Sequence, residues 1–172
     1  MSILKVNTIE PFSGSTIGLK FGFQTIVGDE VTLATDATTT VSGAVAQPAN
    51  TILMGVGMLC TQAFTIGSSA NMGVSVGTAE NGSDSSIVAL DADSIYSSAT
   101  AGMALNACIT SLYGGPTAEA GLNVATGTGL QLVANAAVHT DVARNLYFKT
   151  TSSSGNPTAG KFKPLLFTIK IA

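Results

Sequence analysis

Few residues in this chain are of the right type to do chemistry, and their spacing does not favour it. The single histidine, His139, stands in V-H-T-D-V with Asp141 two residues on and serines abundant elsewhere. A Ser-His-Asp hydrolase needs exactly those residue types, because the imidazole takes the hydroxyl proton while the carboxylate orients the ring. No Gly-x-Ser-x-Gly elbow accompanies them, so His139 reads as a surface loop residue. Asp84, Asp91 and Asp93 could supply oxygens to calcium, but D-A-D-S lacks the spaced acidic loop and closing Glu of a dedicated site. They read as turn and cap residues. Thr126-Gly-Thr-Gly129 has glycines but no following Lys, and so is no phosphate cradle. Cys60 and Cys108 sit in apolar stretches and read as small buried hydrophobes, with a disulfide across the core as the alternative. The expectation is a chain with no catalytic group, no metal site and no cofactor.

Composition points the same way. The chain has 172 residues, 45% hydrophobic and only 10% charged, with a net charge of −3. Its sequence pI is about 4.8. Seven Lys and Arg are too few for the basic footprint that nucleic acid requires. No apolar run approaches the roughly 20 residues of a spanning helix, and the start, Met1-Ser-Ile-Leu-Lys5, does not read as a signal peptide. The expected place of synthesis and assembly is a cytoplasm. Isolated domains keep more charge for solubility, so a surface this poor in charge suggests burial against neighbours in a large assembly. Sparse aromatics without Trp disfavour a sugar-stacking platform.

The elements that would position these residues are strands. Thr51 to Gly77 reads as a long strand, a small-residue turn and a return strand, forming a central β-hairpin. Its first arm is apolar on both faces: Ile52, Met54, Val56, Met58, Cys60 and Gln62 on one, Leu53, Gly55, Gly57, Leu59 and Ala63 on the other. The return arm, Met72-Gly-Val-Ser-Val-Gly77, alternates large and tiny. Further strands are expected at Glu30–Ala34, Thr39–Val45, Ile87–Leu90, Met103–Thr110, Leu130–Val133, Arg144–Thr150 and Lys161–Ile171. In the last of these Phe162, Phe167, Ile169 and Ile171 are the residues to bury. Asn81-Gly82 is a tight-turn pair. Asp91 to Ala99, opened by a capping Asp, is the one expected helical turn. Eight to ten short strands at about ten-residue spacing, with Gly, Pro and Asn between them, predict an all-β sandwich or jelly roll. No fixed-period repeat speaks for a β-helix.

Residues 1–27 form a separate opening unit, a strand-turn-strand arm too small for its own core, ahead of a sandwich domain over 28–172. Pro11 ends the first strand and Ser13-Gly14-Ser15 turns the chain. Leu4-Lys5-Val6-Asn7-Thr8-Ile9 and Ser13 to Leu19 resemble the start of tail-fibre and other virion proteins of marine tailed bacteriophages, cyanophages especially. Residues 31–90, with the Pro48-Ala49-Asn50-Thr51-Ile52 lead-in to a long strand, are similar to small jelly-roll virion proteins of tailed phages. The resemblance implies a jelly-roll-like body with a short N-terminal β arm. It also implies a virion structural protein assembled in the host cytoplasm, in the form of a capsid decoration or cement subunit. Such a subunit would be a homo-oligomer, a trimer by preference, bound to the major capsid protein or other virion proteins. A tail-fibre or baseplate component is the alternative. The arm would attach through Ile3, Val6, Ile9, Phe12, Ile17, Leu19, Phe21 and Phe23, since three of the seven Phe cluster there.

Overall fold

The fold was determined as a computed structural model, which describes residues 22–66, 71–96, 108–112 and 138–171. All regular structure among them is strand: β1 (Gly22–Val27), β2 (Val31–Thr32), β3 (Thr39–Val41), β4 (Val45–Gln47), β5 (Thr51–Thr65), β6 (Met72–Gly77), β7 (Val88–Tyr96), β8 (Cys108–Leu112), β9 (His139–Thr140), β10 (Arg144–Ser152) and β11 (Ala159–Lys170). They form two antiparallel sheets. The first runs β1-β11-β5-β8, with β2 also on β11 and β9 on β5. The second runs β3-β10-β6-β7, with β4 continuing the β3 edge of β10.

The pairs are nested along the chain. Innermost is β6 with β7, then β5 with β8, β3 with β10, and outermost β1 with β11. Folding that long ribbon over on itself adds the pairings of β5 with β11 and β6 with β10 and leaves two layers face to face. The core lies between them. Leu53, Val56, Met58, Cys60, Phe162 and Leu166 come from the first sheet; Val45, Met72, Val74, Val76, Leu146 and Phe148 come from the second. Leu33 and Ile87 close it from the loops, and the Phe64 and Phe162 rings meet edge to face at 6.2 Å. Each large side chain so buried is worth roughly 1.5–3 kcal/mol of transfer free energy, and this burial is what holds the two layers together.

The sandwich corrects the central hairpin. β5 and β6 do not pair; they lie in different sheets, so the chain between them crosses from one layer to the other. Period-two alternation in both arms is equally satisfied by two strands that face each other across a core. The face assignment within β5 also changes. β5 has 15 residues against 12 in β11, and the ladder between them contains three register shifts. One shift falls at Met54, between Gly55 opposite Phe167 and Leu53 opposite Thr168. The extra residue puts Leu53 on the same inward face as Val56, Met58 and Cys60 and leaves Ile52 and Met54 half-buried. β6 is buried on both faces.

The expected helical turn at Asp91–Ala99 is strand from Asp91 through Tyr96, where β7 pairs with β6; pairing across the ribbon outweighs a local cap. Residues 97–99 lie outside the described residues. The expected strand Thr39–Val45 is two short ones, broken at Ser42, whose backbone N–H bonds to the Phe148 carbonyl while its hydroxyl accepts from the Phe148 N–H. Along β11, Phe162 and Ile169 are buried whereas Phe167 and Ile171 are only half-buried. Phe167 points to the outer face of the first sheet, opposite Thr25. The Asn81-Gly82 turn forms as expected, with Gly82 at φ 67° and its N–H on the Ala79 carbonyl. The strand expected at Leu130–Val133 lies outside the described residues.

Candidate functional site

The residues singled out for chemistry are dispersed. His139 is exposed on β9 opposite Ile52, and Asp141 is exposed two residues on. Among the described residues no serine hydroxyl bonds to His139, and no three of His, Cys, Asp and Glu group as a metal site would require. Asp91 and Asp93 are within β7. Asp84 is committed to its own loop. Its carboxylate accepts the Thr78 N–H and hydroxyl (both 2.8 Å), the Ser86 hydroxyl (2.8 Å) and the Ser86 N–H (2.9 Å). Those donors, the Thr78 N–H foremost, hold its pKa at about 2. Asp84 is therefore a loop clasp. Cys60 and Cys108 are not joined in a disulfide. Cys108 stands opposite Leu59, so the adjacent Cys60 faces the other side of the sheet, and the disulfide alternative falls. Burial pushes both thiols up.

A polar cluster that sequence reading passed over lies at one end of the sandwich. Gln47 on β4 is fully buried, accepts from the Arg144 Nε (2.9 Å), and donates to Thr51 Oγ1 (3.3 Å) and the Val138 carbonyl (3.0 Å). Thr51 in turn donates to the Pro48 carbonyl (2.6 Å). Burial lowers the Arg144 pKa. The cluster ties β4 and β10 of one sheet to the first residue of β5 in the other, and its polar groups are used in doing so. Gln47 and Arg144 are 97 residues apart, and nothing local announces the pair.

Among the described residues one sheet edge is open. β1 pairs with β11 over Gly22–Val27 without a register break, and no other described strand flanks it. The Gly28 N–H donates to the Pro164 carbonyl (2.8 Å), which fixes the alternation: Gln24 and Ile26 turn their backbone groups to β11, while Phe23, Thr25 and Val27 turn theirs outward. Phe23 is 80% exposed and Val27 is 54% exposed, on the same outer face as Leu165, Phe167 and Ile169. The strand carries no charge and no proline, the usual devices that blunt an edge. Beyond it Asp29 and Glu30 are exposed; Glu30 meets Lys161 at 3.3 Å, and the Thr61 hydroxyl and Lys161 lower its pKa. Of the expected attachment residues Phe23 is here; Ile3, Val6, Ile9, Phe12, Ile17, Leu19 and Phe21 lie outside the described residues. Gly22–Val27, assigned from sequence to the opening unit, is laid along the body's first sheet.

No protein-family model and no curated protein matches the chain. Among solved structures it is similar to a chain of the cyanophage Pam1 capsid asymmetric unit, with 15% identity, 98% of each chain covered and a TM-score of 0.41. It is also similar to a chain of the capsid of Ralstonia phage GP4, with 11% identity, 96% of this chain and 92% of that one covered, and a TM-score of 0.42.

Proposed function

We propose that this chain is a structural protein of a tailed-phage virion, a capsid decoration or cement subunit that acts mechanically and carries no catalytic site. The observation that carries the reading is the edge of β1, unpaired among the described residues and with Phe23 80% exposed, directly following a segment that resembles the start of phage virion proteins. The strand orders β1-β11-β5-β8 and β3-β10-β6-β7 support a jelly roll, since they are the orders produced by wrapping one nested ribbon. A charged share of only 10% supports a life among neighbours. In this role the subunit, as a trimer, binds the major capsid protein across shell junctions and shifts the equilibrium towards the closed shell by mass action. Residues 1–21, through Ile3, Val6, Ile9, Phe12, Ile17, Leu19 and Phe21, supply the attachment by adding a strand to a neighbour's sheet. The opening motif itself favours a second reading, a tail-fibre or baseplate component.

Co-sedimentation of the purified protein with tailless phage heads, counting bound copies, separates the two. Copies in the hundreds per head support decoration; no binding to heads together with a few copies per tail supports the fibre. Deletion of residues 1–21, which spares β1, should abolish head binding and leave the melting temperature unchanged. Undiminished head binding by that variant would overturn the arm's role.

A further inference from the structure

We propose that β1 is the edge through which two copies of this chain join, antiparallel about a two-fold axis at Thr25, so that their first sheets become one. The inference stands on the edge geometry and does not depend on a virion location.

Backbone and side chains together select the register. Phe23, Thr25 and Val27 are the β1 residues whose N–H and C=O groups point away from β11, and they are the groups an added strand must satisfy. A two-fold axis at Thr25 sets Thr25 against its own copy and Phe23 against Val27 of the second copy, and all three are hydrogen-bonded pairs. An axis at Gln24 or Ile26 would also join outward groups, but with only two hydrogen-bonded pairs inside the strand and with Thr25 set against Phe23 or Val27. The same register pairs the two large apolar side chains on the outer face of the strand, an aromatic with a β-branched residue. Both are exposed in the single chain, at 80% and 54%.

Charge selects the direction. Lys170 is exposed beside Gly22 at one end of the strand, and Asp29 is exposed just beyond the other. Antiparallel joining brings the Lys170 end of each copy to the Asp29 end of the other; parallel joining would set Asp29 against Asp29. The strand itself has no charge to repel its copy. A two-fold contact cannot close a ring of three, so in an assembly of trimers this edge links one trimer to the next.

A cross-linking experiment on the full chain reads the register directly. In the proposed pairing Thr25→Cys faces itself at about 5.5 Å between Cα atoms, inside the range a disulfide spans. Gln24→Cys would face Ile26 of the second copy and has no thiol opposite. Under mild oxidant the expected result is covalent dimer from Thr25→Cys at least tenfold above Gln24→Cys and above the unsubstituted chain. Equal yields from the two variants, or no dimer from Thr25→Cys, would overturn the proposal. Thr25→Pro supplies an independent arm: its lost N–H points outward, so the body's own ladder is untouched. One strand per copy is a smaller contact than the ~1,200 Å² of stable complexes, so sedimentation should run to about 1 mM protein. There the proline variant should show half the mass of the unsubstituted chain at an unchanged melting temperature. A mass equal to the unsubstituted chain's would refute the edge as the joint.

Discussion

Replacing Gly77 by alanine tests how the Asp84 loop is held. A Cβ at position 77 would lie 2.2 Å from the Asp84 carbonyl oxygen, 2.5 Å from its carbonyl carbon and 2.9 Å from its Cγ. The obstacle is largely backbone, so the loop has to move by more than an ångström or β6 has to yield. β6 is buried on both faces and its Val76 carbonyl accepts the Ile87 N–H, so the loop is the part to give. Overpacking of this kind costs about 1–3 kcal/mol. Displacing the loop also breaks the carboxylate's bonds to Thr78 and Ser86, which at this solvent-facing position contribute about 1 kcal/mol once screening is discounted. The expected loss is about 3 kcal/mol near neutral pH, read from urea unfolding followed by circular dichroism. The pH dependence separates the two parts. The Asp84 pKa is depressed to about 2 from 3.8, so its contribution is fully present above about pH 4 and is lost as the pH falls towards 2. The gap between the parent chain and Gly77→Ala should therefore narrow by about 1 kcal/mol between pH 5 and pH 2. A variant as stable as the parent, or a gap that does not change with pH, would refute the account of the clasp.

Two other substitutions probe opposite expectations. Gln47→Ala removes the acceptor of the Arg144 Nε and the donor to the Val138 carbonyl inside a closed cluster, and should cost about 3 kcal/mol in the same unfolding assay. His139→Ala touches an exposed residue of β9, and should change unfolding stability by no more than about 0.5 kcal/mol and leave head binding intact.

The strands were legible because their residues are strongly patterned. Alternation of Leu146 and Phe148 against Asn145, Tyr147 and Lys149 marks the buried face of β10, and the large-and-tiny alternation of β6 marks a strand. Partners were not legible, since alternation says that a strand has a face and not what it faces; the patterns of β5 and β6 fit a hairpin as well as they fit two strands of facing sheets. Inserted residues were equally silent. Met54 looks like any other residue of an apolar run, yet it reverses the facing of what precedes it. The Asp91 cap signal is a local preference, and β7 forms there because β6 lies alongside. For the candidate site, Phe23 stands out as one of three Phe clustered in the small opening unit. That its strand is the edge of the sheet among the described residues depends on β11, some 140 residues further on, and could not be read locally.

The outermost pair of the ribbon has a bearing on how the protein carries load. Gly22 and Lys170 stand opposite each other, so the chain enters β1 and leaves β11 at the same end of the sheet. Tension applied between those two points runs across the ladder, and the bonds of Gly22–Val27 would be peeled in turn instead of sharing the force. Tension taken up along β1 by a strand on its outer edge would be spread over the whole row in shear. A subunit tethered only by its leading segment can thus be unzipped from its own first strand, while one whose β1 is clasped from both sides resists as a unit.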